Sequence, residues 1–461
     1  MGPRKQTGAA RRSDDQRGLI HRLKGSGSFP PRRGGTGGAG LPPQGDRAEA
    51  VRTPSPGPPP DRAELRPPAG RAGGLPAVEV TRRGADRVRA GHPWIYRSDI
   101  ARLPALAEGG AIRVVDGRGY FVALAHWSPR SKIALRLLSR EDEPLGRDFW
   151  AGRLDRALAL RRSVLPDAEA VRLVHGEADL LPGLVVDRYR DVLSVQTLTA
   201  AMDGMRETVF DLLQERLSPR SIVERNDVKS RELEGLPQRK GVVRGEAPGL
   251  VEYREGDARL LADPLEGQKT GAFLDQQENH LAAGPYAAGA CLDAFCYTGG
   301  FTLQLARRAA SVVAIELSAK AAAEGREALS RNGVENVEIR EENAFDVLRS
   351  EAERGARYQT IVLDPPAFAK NKESLPAALR GYKEINLRAI QMLEPGGVLV
   401  TASCSYHVGP ERFEETVLAA ANDARRPLQI IERRGAGRDH PTLLGAPETR
   451  YLTLLIARTP A

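Results

Sequence analysis

Cys291-Leu-Asp-Ala-Phe-Cys-Tyr-Thr-Gly-Gly-Phe-Thr302 is the stretch that decides the fold. A short apolar run ends in an acid, breaks at paired glycines and restarts with helical spacing, which reads as strand, turn and helix N-terminus. Asp293 closes the run. Gly299 and Gly300 supply the φ > 0 freedom and close backbone approach that a ligand needs at the mouth of a parallel sheet. An ordinary strand-to-helix turn has the same pattern, so the neighbouring sequence must decide.

Beyond Gly256 strand-length apolar runs alternate with helical stretches. Strands are expected at 290–295, 311–316, 337–341, 360–364 and 397–403, and helices at 302–308, 319–332, 344–354 and 376–393. Residues 413–424 read as a further helix, and 428–433 and 451–457 as two closing strands. That alternation predicts an α/β class, with a Rossmann-like seven-stranded sheet covered on both faces.

Working outward, residues 77–146 read as short strands at 77–81, 111–115, 120–125 and 133–138, a small β-barrel. It carries 12 Lys/Arg against 8 Asp/Glu and sets Trp94 and Tyr96 beside Arg97. Cations among aromatics suit RNA, where phosphates pair and bases stack, although the same rings also suit a core. Residues 147–256 mix strands at 171–174, 184–187, 192–197, 221–224 and 250–254 with a helix at 201–216, an α+β middle domain. The domains expected are therefore 1–75, 76–146, 147–256 and 257–461.

Residues 1–75 differ in kind. They hold 15 Gly and 12 Pro, 27 of 75, a composition that cannot bury enough apolar surface to offset chain entropy, so disorder is expected. They also hold 14 Lys/Arg and 6 Asp/Glu, while the remainder has 68 − 14 = 54 basic and 60 − 6 = 54 acidic residues. The formal excess of +8 is thus confined to the extension and says little about what the folded part binds. No membrane-length apolar run is present, three cysteines at 291, 296 and 404 make no disulfide framework, and a reducing cytoplasm is expected. No metal site is expected. The oligomeric state stays open, a homodimer included.

Ligands of open parallel sheets sit beyond the strand ends, and polar residues gather there: Asp293, Glu316, Asn343, Asp364-Pro-Pro366 and Ser403-Cys-Ser405. Glu316 lies 23 residues after Asp293 and suits a ribose. The chain has Tyr-Thr-Gly-Gly-Phe where a dinucleotide enzyme needs G-x-G-x-x-G for a pyrophosphate. S-adenosylmethionine, which has no phosphate, fits better.

These residues resemble a known family. Asp293–Thr302, Asp364-Pro-Pro-Ala-Phe368, Arg380-Gly-Tyr-Lys-Glu-Ile-Asn386 and Ser403-Cys-Ser405 are similar to the PUA-domain-containing methyltransferases that modify C5 of a cytosine in 23S ribosomal RNA. So are Gly91-His-Pro-Trp94, the 176–187 segment, Gln268-Lys-Thr-Gly-Ala-Phe-Leu-Asp-Gln276, Asp439-His-Pro441 and Pro447-Glu-Thr449. The resemblance implies a PUA barrel, a middle domain and a methyltransferase domain. It also implies S-adenosylmethionine as cofactor and 23S RNA as partner, naked or in an early assembly intermediate. By motif match Gln276, Asp293, Thr298, Gly299, Glu316, Asn343 and Asp364 would line the cofactor site, and Pro365 and Phe368 would stack on the base. Asn343 departs from the family's common Asp.

Cytosine C5 is too weakly nucleophilic to take a methyl directly, so a thiolate must first add to C6. Where the similar small-subunit cytosine-C5 enzymes carry a cysteine beside this turn, Asp364-Pro-Pro366 has none, which leaves Cys404 as nucleophile, and the sheet order that the resemblance implies would bring it near Asp364. A thiolate needs a nearby positive charge, and Lys383 or His407 is expected to give it. Two other readings stay open: a ribosomal guanine N-methyltransferase, which needs Asp364-Pro-Pro but no cysteine, and a non-catalytic RNA-binding protein with a vestigial fold.

Overall fold

The computed structural model describes residues 74–461 apart from 104, 105, 107 and 370. Disorder expected for 1–75 therefore falls, but for two residues, outside the described residues.

Strands buried on both faces need apolar residues at successive positions, and the central runs supply them. β1 (Ala290–Ala294), β2 (Ser311–Ile315), β3 (Val337–Arg340), β4 (Tyr358–Leu363), β5 (Leu393–Ser403), β6 (Gln429–Arg434) and β7 (Thr453–Arg458) form one sheet. Its order is β3-β2-β1-β4-β5-β7-β6, with β1 to β5 parallel and β7 inserted antiparallel. The expected seven-stranded α/β fold is present. Its helices are α1 (Gly300–Ala306), α2 (Ala319–Arg331), α3 (Ala344–Glu353), α4 (Leu375–Met392) and α5 (Pro410–Asp423). Ser318 caps α2 by accepting from the Ala321 amide, and Pro410 opens α5 where its missing N–H costs nothing. Strand order reverses between β1 and β4, which opens a crevice beyond their carboxyl ends.

Two smaller sheets precede it. A six-stranded sheet runs, in spatial order, Trp94–Tyr96, Ile133–Ser139, Phe121–Trp127, Gly110–Asp116, Ala77–Val80 and Ile100–Arg102. The two three-residue strands are too short to show a period in sequence. Helix Arg82–Arg89 was equally hidden, because only Gly84, Ala85 and Val88 are buried among its arginines. The five-stranded sheet keeps chain order through Ala170–His175, Leu184–Tyr189, Val192–Thr197, Ser221–Asn226 and Arg239–Gly245. Its last strand, Arg-Lys-Gly-Val-Val-Arg-Gly, lacks an apolar signature and was not foreseen. The helix expected at 201–216 is two, Ala200–Gly204 and Arg206–Leu217, broken at the Gly204-Met205 junction.

A hairpin, Val251–Glu255 with Ala258–Ala262, turns at Gly256, whose φ is +59°. The domain boundary expected at 256/257 falls inside that turn. Tyr253, Leu260 and Ala262 pack in one apolar cluster with Tyr189 and Val223 of the five-stranded sheet, with Ala314 of β2, and with Cys296, Leu303 and Ala322 of the turn and helices that cover the seven-stranded sheet. The hairpin thus has no core of its own and mortises two sheets together.

A buried polar spine crosses the same seam. Arg161, 2% exposed, pairs with Asp179 and donates to the carbonyls of Arg172 and Asp439. Arg172 forks onto Asp187 at 2.8 and 2.7 Å, Asp439 accepts from the Arg172 amide, and Thr270 donates to Asp187. Removing one partner of a buried pair strands the other. Arg161→Ala is expected to lower unfolding free energy by about 3–5 kcal/mol in urea denaturation.

Candidate active site at the strand ends

The turn after β1 is wound tightly. Phe295, Tyr297 and Gly299 all take positive φ, at 71°, 51° and 91°. Two of these are bulky residues, a strained arrangement locked by bonds from the Cys296 amide to the Ile315 carbonyl and from the Gly299 amide to the Cys296 carbonyl. Glu316, at the end of β2, pins the turn by accepting from the amides of Tyr297 at 3.0 Å and Ser318 at 2.7 Å. Gly300 is obligatory for a different reason: a Cβ there would overlap the His280 ring. His280 is in turn fixed through Nδ1 to Glu255 of the hairpin, 2.8 Å away.

Two carboxylates stand at the ends of the adjacent strands β1 and β4. Asp293 is fully buried; its Oδ2 accepts from Thr302 Oγ1 at 2.5 Å, and its Oδ1 has no partner among the described residues. Burial, joined by the charge of Asp364, pushes its pKa up to about 7. Asp364 is raised to about 6, again by burial first, with His280 opposing and Asp275 adding. A relay of amides orients it: Gln276 Nε2 donates to Asp364 at 2.8 Å, Asn279 Nδ2 donates to Gln276 Oε1 at 2.6 Å, and Arg434 Nε donates to Asn279 Oδ1 at 2.8 Å.

Cys404 stands half-buried at the tip of β5, its Sγ 3.6 Å from the Pro365 carbonyl oxygen. It thus shares the crevice with Asp364, whereas Cys291 and Cys296 are buried in the apolar clusters. Burial pushes the Cys404 thiol up to about 12, Asp364 adds to the rise, and the nearby cation that opposes it is Lys269. Neither cation expected from the sequence is in that position: Lys383 pairs with Asp423 at 2.7 Å, and His407 packs edge-on against Tyr406. Lys269 bonds both oxygens of buried Asp275, at 2.9 and 2.7 Å, and holds a positive φ of 52°.

The other expected residues are placed as follows. Pro365 is buried in the crevice wall. Phe368 turns its ring inward, 4.6 Å from Tyr382 and 5.5 Å from Phe345, and Gly381 leaves room for it. The side chain is half-buried. Asn343 spends Oδ1 on capping α3 through the Phe345 amide at 2.9 Å, so only its amide NH2 is left for a ligand. Thr298 is buried where Gly325 lets α2 approach the turn. Sequence reasoning missed Asn279 and His280, although Gln276, Asn279 and His280 follow the i, i+3, i+4 spacing of one helix face.

An orphaned carboxylate oxygen, a second raised carboxylate and a strand-end acid fixed beside a glycine turn form a site for a cationic ligand with hydroxyls. Nothing in it cradles a diphosphate. S-adenosylmethionine matches that donor set, with Asp293, Asp364 and Glu316 as the acceptors that would hold it. Fold and site define an S-adenosylmethionine-dependent methyltransferase. The S-adenosylmethionine-dependent methyltransferase family model matches residues 243–452, and that of the PUA-like domain matches 78–140.

Ribosomal RNA large subunit methyltransferase I of Shewanella amazonensis is 39% identical over 80% of this chain and 95% of its own. That of Tolumonas auensis gives the same figures. Among solved structures, a methyltransferase complexed with SAH superposes with a TM-score of 0.73 at 18% identity, over 83% of this chain and 99% of that one. An S-adenosylmethionine-dependent methyltransferase from Streptococcus mutans gives 0.71 at 17% identity over the same shares. The chain belongs to the ribosomal RNA large subunit methyltransferase I family.

The raised carboxylates carry a pH signature. A group whose folded pKa exceeds its unfolded one contributes most below the unfolded value and loses that contribution as pH climbs through the folded one. For Asp293 that window runs from about 4 to about 7. Unfolding free energy of the ligand-free protein should fall across it, and Asp293→Asn should flatten the slope, as read by denaturant titrations at stepped pH.

Proposed function

We propose that this enzyme methylates C5 of a cytosine in 23S ribosomal RNA through a covalent Cys404 adduct, working in the cytoplasm. The observation that carries the reading is the placement of the Cys404 sulfur 3.6 Å from the Pro365 carbonyl, in one crevice with Asp364. Ribosomal RNA as substrate is supported by the names of the relatives. The cofactor supplies an electrophilic methyl. Cys404 gives its proton to water and adds as the thiolate to C6, which makes C5 nucleophilic; C5 takes the methyl as its bond to the cofactor sulfur breaks, then gives its own proton to water, and the thiolate leaves as the C5–C6 double bond returns. Lys269 favours the thiolate, while Asp364 and burial oppose it.

Asp364, with Gln276 fixing one oxygen, faces the base where an acceptor for the cytosine amine is needed. Pro365 walls the pocket. Asp293, Thr298, Gly299, Glu316 and Asn343 hold the cofactor on the β1 side, and the barrel at 78–140 recruits the RNA.

RNA containing 5-fluorocytosine tests the mechanism, because fluorine cannot leave as a proton does. Wild type should remain joined to it on a denaturing gel and Cys404→Ala should not, with cofactor affinity unchanged by calorimetry. Methyl transfer by Cys404→Ala would refute the adduct. Separately, Glu316→Ala should weaken S-adenosylmethionine binding by about 1–3 kcal/mol, the scale of lost hydrogen bonds to a charged group.

A further inference from the structure

The helical stretch Arg380-Gly-Tyr-Lys-Glu-Ile-Asn386 and the two serines that flank Cys404 take no part in the chemistry, and the fold joins them. The alternation of β5 carries on past its end: Ser403 and Ser405 are fully buried, while Cys404 between them is half-buried. Ser403 Oγ accepts from the Ser405 amide at 3.4 Å, and the Val408 amide closes the turn by donating to the Ser405 carbonyl at 2.9 Å. Ser405 Oγ accepts from the Ala369 amide at 3.2 Å and lies 2.8 Å from the Tyr382 hydroxyl of α4.

The tip of β5 is thereby stitched to the 364–369 loop at two points, Cys404 Sγ to the Pro365 carbonyl at 3.6 Å and Ser405 Oγ to the Ala369 amide. Tyr382 is the post behind the second stitch. It is fully buried, its ring stands 4.6 Å from Phe368 and 5.5 Å from Phe413, and Asn386 Nδ2 donates to its carbonyl at 2.8 Å. Burial first, then the charge of Cys404, push its phenol up to about 12, so the group stays a neutral hydroxyl while the enzyme works. Phenylalanine would bury the same ring. What the hydroxyl adds is a direction, because a satisfied buried polar bond admits one arrangement where apolar packing tolerates several.

We infer that Tyr382 and Ser405 are positioning residues for the methyl transfer, whose shared hydrogen bond fixes the gap between the Cys404 sulfur and the loop that carries Asp364. The inference rests on the covalent-adduct reading. Addition to C6 requires the sulfur at about 3–3.5 Å and aligned with the ring orbital, and a displacement of about 1 Å costs about a hundredfold in rate. Neither residue touches the base; each acts through the backbone of Cys404.

The test follows single-turnover adduct formation by the full chain on 23S ribosomal RNA transcribed with 5-fluorocytidine, at increasing RNA concentration with S-adenosylmethionine present. Tyr382→Phe and Ser405→Ala should each lower the maximal rate by about a hundredfold and leave the half-saturating RNA concentration unchanged. The double variant should be no slower than the slower single one, because both break the same bond; independent damage to the core would multiply. Unchanged S-adenosylmethionine affinity by calorimetry shows that the variants are folded. Alkylation of Cys404 by iodoacetamide, with Cys404→Ala as the blank, should keep its wild-type pH profile, since the thiol itself is untouched. Variants that form the adduct at the wild-type rate, losses that multiply in the double variant, a loss confined to RNA binding or a shifted alkylation profile each overturn the positioning role. A wild type that forms no adduct overturns the C5 reading and this inference with it, a result that none of the variant comparisons can mimic.

Discussion

Two carboxylates at adjacent strand ends, Asp293 buried and Asp364 half-buried, constrain everything around them. Asp293 and Asp364 lie where strand order reverses, in a crevice too dry to ionise both freely. Such a pair persists only if its surroundings hold it rigidly and a cation completes it. The surroundings are elaborate: Thr302 on one acid, the Gln276–Asn279–Arg434 relay on the other, and His280 against Gly300 between them and the hairpin. The crevice is therefore an electrostatic trap built before its occupant arrives, which is how preorganised sites avoid reorganisation during reaction.

Motifs scattered along the chain converge on that trap from behind. The 176–187 segment gives Asp179 and Asp187, the 268–276 segment gives Lys269, Thr270, Asp275 and Gln276, and the C-terminal loops give Asp439 and Tyr451. Tyr451 donates to Asp275 at 2.7 Å, so the anion that pairs with Lys269 is itself anchored to the C-terminal segment. Lys269 owes its place beside Cys404 to groups from two sheets and a loop.

The seven-stranded sheet was legible because each central strand is an apolar run ending in a polar residue, and short loops leave little freedom in between. Asp293, Glu316, Asp364 and Cys404 were legible for the same reason: a strand end is a position that sequence marks. What sequence did not mark were contacts between distant segments. Lys269 is 135 residues from Cys404 by number, and nothing local distinguishes it from Lys383. The packing of Phe368 was hidden because its neighbours Tyr382 and Phe345 come from separate helices. Strands of three residues and the cationic Arg239–Gly245 carry no period, so pattern alone could not find them.

The hairpin around Gly256 bears on how such a chain can change over evolutionary time. Its apolar face is divided between two sheets, so it ties them together although each has further clusters of its own. A recombination event that joined this catalytic half to a foreign upstream partner would cut one wall of the shared cluster and withdraw Glu255 from His280 at the same stroke. Descent of the two halves is thereby tied together. The barrel has a cluster of its own, with Val80, Ile95, Ile112 and Leu135 at its centre, yet Leu124 and Leu138 pack into the core of the five-stranded sheet and Arg136 pairs with Glu177 and Glu234 there, so its exchange would open a second wall.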